Sequence, residues 1–255
     1  MKVVILAGGY GTRISEETMN IPKPLVEIGN YPILWHIMKI FSHHGFNEFI
    51  VCCGYKSHLI KEYFKNYYLR NCDVEVDLRT NTIKLLNDRT EDWQISLIET
   101  GQDVMTGGRL LRIKDMINGP FLMTYGDGVS DVDIPSLIKF HKSAGGLVTL
   151  TGIPHQGRYG TFSTSENNKI KSFSEKPLSI NSRINGGFFV IDPKALDYIE
   201  GDNTSWENEP LSMLADKGLL SCYNHDGFWH SMDTLRDKIA LNELWMHSAP
   251  PWKKW

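Results

Sequence analysis

The segment Val3 to Ile14 reads VVILAGGYGTRI, an apolar β-branched run followed at once by a glycine-rich turn. Such a run is typical of a strand buried on both faces of a parallel sheet. The three glycines let the backbone approach a ligand closely and direct amide groups at an anion. Because the turn lacks GxxxxGK[ST] and Ile14 replaces the third glycine of a dinucleotide fingerprint, a P-loop kinase or an NAD enzyme is disfavoured. We predict a central strand that ends in a phosphate-binding loop, with a tight structural turn as the alternative.

Strand and helix patterns alternate after this segment. Apolar runs closed by turn residues predict strands, and apolar residues at helical spacing predict the helices between them. The predicted strands are Phe49 to Gly54, Ser96 to Glu99, Phe121 to Tyr125 and Leu147 to Ile153, and the predicted helices are Pro32 to Gly45, His58 to Tyr68, Gly107 to Ile117 and Asp133 to His141. This order predicts an α/β fold with a doubly wound, mostly parallel (Rossmann-like) sheet and helices on both faces.

The pattern changes toward the carboxyl terminus. Short strands and turns between Gly160 and Val190, including Ile170 to Phe173 and Gly187 to Ile191, predict a small antiparallel or mixed subregion that covers one side of the site. The tail from Leu235 to Trp255 begins as a helix and ends in APPWKKW, whose aromatic residues predict a contact with a neighbouring subunit. We find no internal repeat and no linker, so a single domain over residues 1–255 is expected.

Composition and charge exclude several classes of protein. The 255 residues carry 27 basic and 30 acidic side chains, a formal net charge of -3, which provides no general attraction for nucleic acid or anionic lipid. No apolar run approaches the roughly 20 residues that a membrane-spanning helix needs. The four cysteines show no CxxC or Cys/His metal spacing and favour reduced thiols. We therefore expect a cytoplasmic protein with small-molecule partners, and neither nucleic acid nor membrane among them.

Two cationic residues follow the first strand. Arg13 ends the glycine-rich loop, and Lys23 stands between Pro22 and Pro24 on a segment that we expect to be stiff and extended. A backbone of this kind fixes the direction of the ammonium group. Because phosphoryl and nucleotidyl transfer depend largely on orientation and charge neutralisation, the pair predicts a clamp for a phosphate chain. Two solvated surface cations are the alternative.

Two aspartates are candidates for a metal site. Asp127 stands between Gly126 and Gly128 after an apolar strand, and Asp233 follows an aromatic run near the carboxyl terminus. Two carboxylates with few other protein ligands suit Mg²⁺, which keeps several waters and takes its remaining oxygens from substrate phosphates. Turn or cap roles for each aspartate are the alternative.

Six blocks of sequence, taken in order, resemble those of the sugar-1-phosphate nucleotidylyltransferases. They are LAGGYGTR at residues 6–13, PKP at 22–24, YGDG at 125–128, EKP at 175–177, NGGFFV at 185–190 and MDT at 232–234. Five blocks look like those of the cytidylyltransferase members of that family: PILWHIMK at 32–39, VCCGYK at 51–56, MTGGRL at 105–110, WENEPL at 206–211 and MDTLRDK at 232–238. The resemblance covers nearly the whole chain.

The resemblance implies roles for particular residues. It implies nucleotide contacts from Leu6, Ala7, Gly8, Gly9, Gly11, Thr12, Arg13, Lys23, Thr106, Arg109 and Gly126. It implies sugar-phosphate contacts from Gly160, Glu175, Lys176, Asn185 and Gly186. Arg13, Lys23 and Asp127 would be catalytic, and Asp127 and Asp233 would hold Mg²⁺. The positive end of the helix after Gly108 would lie close to the nucleotide. Residues 1–150 would then mainly bind nucleotide, and residues 151–234 mainly sugar.

The resemblance also implies a reaction, in which CTP and α-D-glucose 1-phosphate give CDP-glucose and pyrophosphate by Mg²⁺-assisted in-line attack. The same chemistry with another sugar 1-phosphate, or with UTP or dTTP, stays open, and the polar His155 and Gln156 lie where the sugar pocket is expected to vary. A non-catalytic, sugar-nucleotide-binding regulatory subunit is a third interpretation. The resemblance further implies a homo-oligomer, with a hexamer among the options, and a role in the biosynthesis of lipopolysaccharide O-antigen.

Overall fold

The Val3–Ala7 run forms strand β1 in the interior of the main sheet in the computed structural model of this chain. The structure describes residues 1–87, 89–154, 161–165, 167–174, 183–247 and 249–255. Val3 pairs in parallel with Phe49 on one side and with Leu122 on the other. β1 is therefore an interior strand, as its unbroken apolar run predicts.

The strands after β1 include those predicted from the sequence. They are β2 (Glu27–Ile28), β3 (Tyr31–Pro32), β4 (Glu48–Cys53), β5 (Val74–Asp77), β6 (Thr82–Leu85), β7 (Gln94–Glu99), β8 (Phe121–Tyr125), β9 (Gly128–Ser130), β10 (Val148–Pro154), β11 (Thr161–Thr164), β12 (Ile170–Ser174), β13 (Arg183–Asn185), β14 (Phe189–Ile191), β15 (Leu220–Asn224) and β16 (Trp229–Ser231). Within the described ranges, ten strands form one sheet in the order β12-β11-β13-β10-β14-β8-β1-β4-β7, with β15 beside β10.

The pairing divides this sheet into two parts. β8, β1, β4 and β7 run parallel. Beyond β8 the neighbours β14, β10, β13, β11 and β12 pair antiparallel, and β15 joins β10 in parallel. The antiparallel subregion predicted from Gly160 to Val190 is thus present, and it extends the main sheet.

Helices lie between the strands as the alternating pattern predicts. They are α1 (Ser15–Thr18), α2 (Ile33–His43), α3 (Ser57–Lys65), α4 (Tyr67–Asn71), α5 (Thr106–Arg112), α6 (Ile134–Ala144), α7 (Glu209–Asp216) and α8 (Leu235–His247), with short 3₁₀ turns at Thr12–Ile14, Lys23–Leu25, Lys114–Met116 and Pro193–Tyr198. α6 begins as predicted, because Asp133 caps it by accepting a 2.8 Å hydrogen bond from the Ser136 amide. Among the described residues, no helix combines the length and the apolar character needed to cross a membrane.

Two predicted helices are interrupted in the structure. The helix predicted from His58 to Tyr68 is divided at Asn66, whose φ of -102° and ψ of 15° separate α3 from α4. Asparagine has a low helix propensity, because its side chain competes for backbone groups. The helix predicted from Gly107 to Ile117 ends at Arg112 and gives way to a 3₁₀ turn.

Both faces of the sheet are buried. Val3 and Ile5 contribute to a core shared with α2, and Val4 and Leu6 contribute to a second core shared with α5 and α7. This alternation places helices on both sides of β1. The doubly wound α/β prediction is therefore confirmed.

The C-terminal tail packs on its own chain. Trp252 is buried and stacks on Phe228 and Trp245, and Trp255 lies edge-on against Trp35. The chain itself thus covers aromatic residues that we expected a neighbouring subunit to cover. The subunit contact of the tail stays a prediction.

Candidate active site

A cavity of about 440 Å³ opens at the carboxyl ends of β1 and β8. In open α/β sheets this edge is where ligands bind. Every residue predicted for the nucleotide lines the cavity: Leu6, Ala7, Gly8, Gly9, Gly11, Thr12, Arg13, Lys23, Thr106, Arg109 and Gly126. Asp127 lines it as well. The sequence therefore identified residues that the fold brings to one place, although their contacts with a nucleotide stay a prediction.

The shape of the glycine-rich loop depends on two of its glycines. Gly11 has a φ of +66°, in the left-handed region that favours glycine, and its carbonyl accepts a 3.0 Å hydrogen bond from the Thr18 hydroxyl. A Cβ atom on Gly8 would lie 2.1 Å from the guanidinium of Arg109. These glycines therefore set the path of the loop after β1.

Lys23 lies between the two candidate metal ligands. Its Nζ atom is 2.6 Å from Oδ2 of Asp127 and 2.8 Å from Oδ1 of Asp233, and Arg13 reaches the same Oδ1 atom at 3.1 Å. Pro22 has the extended backbone that we predicted for this segment, but Lys23 is the first residue of a 3₁₀ turn. That turn directs the ammonium group toward the carboxylates.

Burial strengthens the electrostatic interactions in this cluster of charges, because a less polar environment screens them less. The side chains of Lys23 and Asp233 are 10% and 8% exposed, whereas Arg13 is 67% exposed. Burial alone lowers the pKa of Lys23, but Asp127 and Asp233 outweigh it and raise that pKa above its ordinary value. Burial likewise raises the pKa of Asp233, but Lys23 and Arg13 outweigh it and the net pKa is lowered. Lysine and aspartate are both charged here.

The two aspartates fit a divalent cation. Their carboxylates come from different segments and converge on a single nitrogen atom, so they surround one cationic position. Two oxygen donors leave room for waters and phosphate oxygens, which is the ligand set that Mg²⁺ prefers. Within the described ranges, no cluster of three or more Asp, Glu, His or Cys side chains suits a metal. Asp127 and Asp233 therefore stay the candidate ligands.

Asp233 is held by its neighbours in the chain. The Ser231 hydroxyl donates to its Oδ2 atom at 2.9 Å. One carboxylate oxygen of Asp237 accepts from the Asp233 amide at 3.2 Å and from the amide and hydroxyl of Thr234 at 2.8 and 2.7 Å. The turn between β16 and α8 is thus fixed, and so is the direction of the Asp233 side chain.

Arg109 is almost completely buried and organises the loops around the cavity. Its guanidinium donates to the carbonyl oxygens of Gly8, Cys53, Gly101 and Gln102 and to the Thr100 hydroxyl, at 2.7 to 3.3 Å. These bonds connect the first loop with the ends of β4 and β7. Within the structure Arg109 is thus a scaffold for the pocket, and its predicted nucleotide contact stays a prediction.

The start of α5 is covered by the loop that precedes α7. The amides of Gly107 and Gly108 donate to the Thr204 carbonyl at 3.0 and 3.3 Å, and the Met105 amide donates to Asp202. These amides would otherwise be the helix groups that attract an anion. The helix end near Gly108, which we expected close to the nucleotide, is therefore partly satisfied from within the chain.

Two residues of the site, Tyr125 and Glu207, were not predicted from the sequence. Tyr125 lines the cavity, and its hydroxyl donates to Oε1 of Glu207 at 2.6 Å and accepts from the side-chain amide of Asn185 at 3.2 Å. Tyr125 lies in the sequence block YGDG, and Glu207 lies in the block WENEPL. Their position within these blocks was the signal that could have identified them.

The predicted sugar site is described only in part. Asn185 ends β13, and its side-chain oxygen accepts a 2.9 Å hydrogen bond from the Gly187 amide. The carbonyl of Gly186 accepts from the Trp229 indole at 2.7 Å. Gly160, Glu175 and Lys176, together with His155 and Gln156, lie outside the described residues.

Comparisons with known proteins show which family and fold this chain resembles. A family model described as "Nucleotidyl transferase" matches residues 2–234. Glucose-1-phosphate cytidylyltransferase of Salmonella typhi is 51% identical over 257 residues, and a probable glucose-1-phosphate cytidylyltransferase of Bacillus subtilis is 46% identical over 257 residues, each alignment covering 100% of both chains. The crystal structure of HddC from Yersinia pseudotuberculosis superposes with a TM-score of 0.75 at 21% identity, over 96% of this chain and 99% of that one. The structural likeness supports the fold alone.

Proposed function

This chain belongs to the nucleotidyl transferase family, and on that premise we propose that it converts CTP and α-D-glucose 1-phosphate into CDP-glucose and pyrophosphate. The observation that carries the proposal is the convergence of Lys23, Asp127 and Asp233 beside a cavity that the glycine-rich loop lines. The choice of substrates is supported by 51% identity, over the whole chain, to a glucose-1-phosphate cytidylyltransferase.

The reaction is a displacement at the α-phosphorus of CTP. An oxygen of the sugar phosphate forms a new P–O bond there, and the bond from that phosphorus to the bridging oxygen breaks, so that pyrophosphate leaves with the electron pair. The attacking phosphate is already anionic at neutral pH, so the reaction needs neither a protein nucleophile nor a general base. The glycosidic C–O bond is untouched, and the anomeric configuration is retained. The work of the protein is therefore placement and charge neutralisation.

Lys23 and Arg13 differ in burial, and we assign them different parts of this work. Lys23 is buried, so its ammonium group stays close to the phosphates, whereas the more exposed Arg13 has room to turn toward pyrophosphate. The backbone from Gly8 to Thr12 surrounds the phosphates and ribose. Asp127 and Asp233 would hold Mg²⁺. When bound, this ion neutralises phosphate charge and polarises the P–O bonds.

We assign the sugar phosphate to the Tyr125 side of the cavity, because the side-chain amide of Asn185 donates to the Tyr125 hydroxyl there. We assign sugar contacts to Asn185 and Gly186 and a contact with the sugar phosphate to Lys176. Gly160 and Glu175 complete the sugar contacts. These assignments rest on the family blocks EKP and NGGFFV.

Pyrophosphate release from purified protein with Mg²⁺ tests the proposal. We would measure it across CTP, UTP, dTTP and ATP, each against several hexose 1-phosphates. The highest kcat/KM is expected for CTP with α-D-glucose 1-phosphate. A maximum for another pair of substrates would support the same reaction but correct the choice of substrates. If folded protein binds CTP but releases no pyrophosphate with any pair, the regulatory subunit is favoured.

A pair of aspartate variants connects activity to the site. Asp127→Asn keeps the shape of the side chain but removes its charge, so turnover should fall by at least about 100-fold. Asp216→Asn makes the same change on an exposed residue at the end of α7 and should leave turnover unchanged. Near-normal activity of Asp127→Asn would remove Asp127 from the catalytic machinery.

The cellular context is also proposed. The enzyme acts in the cytoplasm as a homo-oligomer, a hexamer among the options, and supplies CDP-glucose for deoxysugars of lipopolysaccharide O-antigen. Light scattering coupled to size-exclusion chromatography measures the oligomeric state. A monomeric mass at micromolar concentration would contradict an obligate oligomer.

A further inference from the structure

Glu207 is a half-buried residue just before α7, and both oxygen atoms of its carboxylate accept hydrogen bonds. Oε1 accepts from the Tyr125 hydroxyl at 2.6 Å. Oε2 accepts from the Thr106 hydroxyl at 2.6 Å and from the Ser205 hydroxyl at 2.7 Å. Bonds from hydroxyl groups to an ionised carboxylate are among the stronger hydrogen bonds in proteins.

The two oxygens of Glu207 bind different walls of the cavity. Thr106 is the first residue of α5, on the side proposed for the nucleotide. Tyr125 is the last residue of β8 and lies directly before Gly126 and Asp127. The Tyr125 hydroxyl also accepts from Asn185, on the side proposed for the sugar. One carboxylate therefore connects the two halves of the proposed active site.

The hydrogen bonds place the Tyr125 hydroxyl as a donor to one oxygen of Glu207 and the Thr106 hydroxyl as a donor to the other. An ionised carboxylate accepts on both oxygens, whereas an amide has one acceptor oxygen and one donor nitrogen. With its oxygen toward Tyr125, glutamine would turn its NH₂ group toward the Thr106 and Ser205 hydroxyls, which would have to change from donors to acceptors, although Thr106 already accepts from the Trp206 amide.

The loop that carries Glu207 is itself fixed to α5. The Trp206 amide donates to the Thr106 hydroxyl oxygen at 2.9 Å, and the Gly107 amide donates to the Thr204 carbonyl at 3.0 Å. A Cβ atom on Gly107 would lie 2.7 Å from that carbonyl oxygen. The carboxylate also stands at the N-terminal end of α5, where negative charge is favourable. Glu207 is thus held from the α5 side and reaches toward Tyr125.

We propose that Glu207 is a positioning residue that sets the spacing between the nucleotide wall at Thr106 and the sugar wall at Tyr125, an inference that rests on the proposed function. Thr106 and Tyr125 line the cavity, whereas Glu207 lies behind them and is not part of the lining. It matters most for a ligand that spans both walls, such as CDP-glucose, and least for CTP alone. This difference distinguishes a positioning role from general support of the fold.

Binding measurements on Glu207→Gln test the inference. Titration calorimetry with Mg²⁺ present should show CDP-glucose binding weakened by at least about tenfold and CTP binding weakened by less than about threefold. Turnover of CTP with glucose 1-phosphate should also fall by at least about tenfold. Glu209→Gln, the same change on an exposed residue two positions further along, serves as the matched control and should leave all three values unchanged.

The outcomes separate this inference from the proposed function. If wild-type protein turns over the pair and Glu207→Gln behaves like Glu209→Gln, or weakens both ligands equally, the positioning role is wrong. If wild-type protein neither binds nor converts any nucleotide and sugar phosphate, both proposals fail. Should Glu207→Gln fold poorly, Tyr125→Phe removes the same bond from the other end and should show the same selective loss for CDP-glucose.

Discussion

The Nζ atom of Lys23 lies 2.8 Å from Oδ1 of Asp233, although 210 residues separate the two in the chain. The same nitrogen lies 2.6 Å from Oδ2 of Asp127. The ammonium group thus occupies the position between two carboxylates where a divalent cation would bind. If Asp127 and Asp233 hold Mg²⁺ as proposed, Lys23 and Mg²⁺ compete for these carboxylates in nucleotide-free protein, and bound phosphates offer Lys23 another partner.

Replacing Lys23 by Met should weaken catalysis and strengthen metal binding at once. Turnover should fall by at least about 100-fold, because the phosphates lose a fixed cation. Mn²⁺ should bind nucleotide-free protein at least about tenfold more tightly, because no ammonium competes for Asp127 and Asp233. Electron paramagnetic resonance titration of Mn²⁺ measures the affinity, and Lys142→Met, on an exposed residue of α6, is the control. Unchanged Mn²⁺ affinity in folded Lys23→Met would contradict the competition.

Asp237 should influence the metal through Asp233. Asp237→Ala removes the acceptor that fixes the Asp233 amide and Thr234, so the Asp233 carboxylate becomes less well positioned. The Mg²⁺ concentration for half-maximal activity should rise by about fivefold or more, while kcat at saturating Mg²⁺ stays within about threefold of wild type. Activity titrations against Mg²⁺ measure both, with Asp216→Ala as the control. A lower kcat with an unchanged Mg²⁺ requirement would show that Asp237 acts in another way.

The parts of the fold that local sequence determines were predicted well. The run from Val3 to Leu6 has no polar residue, and such a strand is stable only in a sheet interior. Asp133 followed by Ile134 and Pro135 is a local helix-start signal, and α6 begins there. Each signal lies within a few residues, so no knowledge of the tertiary structure is needed.

Contacts between distant residues could not be predicted in the same way. Patterns indicated that Lys23, Asp127 and Asp233 belong to one site, but not that the ammonium lies between the carboxylates, because that depends on how three loops meet. Glu207 gave no signal beyond its place in the block WENEPL, since its contacts with Tyr125 and Thr106 join residues more than 80 positions apart. β15 was also missed, because its pairing with β10 is a long-range event.

Arg109 should matter for stability far more than its neighbour Arg112. Arg109→Met leaves several buried carbonyl oxygens without their donor, and we expect a loss of about 2–4 kcal/mol in the free energy of unfolding. Arg112 forms a 2.6 Å ion pair with Asp202, but both side chains are more than 40% exposed, so Arg112→Met should cost much less than Arg109→Met. Urea unfolding without ligand measures both variants. Equal losses would contradict the scaffold role of Arg109.

His36 should make stability depend on pH, because its ring is buried in the neutral form. The ring Nε2 atom lies 2.9 Å from the Ile28 carbonyl and donates to it, while Nδ1 accepts from the Trp252 indole at 3.4 Å. Burial lowers the pKa of His36 to about 4 in the folded chain. Since an exposed histidine titrates near about 6.5, the unfolded chain binds more protons between these two values.

The stabilisation from neutral His36 is therefore complete above about pH 6.5 and is lost as the pH falls to about 4, by about 3 kcal/mol in all. Urea unfolding at about pH 7 and at about pH 4.5 measures the loss, and His36→Gln should remove most of it, so that wild type and variant converge at the lower pH. His58→Gln changes an exposed ring and should keep the wild-type dependence. A pH dependence that is the same in His36→Gln as in wild type would assign the effect to other groups. Convergence would show that the buried His36 ring, which joins Ile28 to the C-terminal tail, titrates with folding.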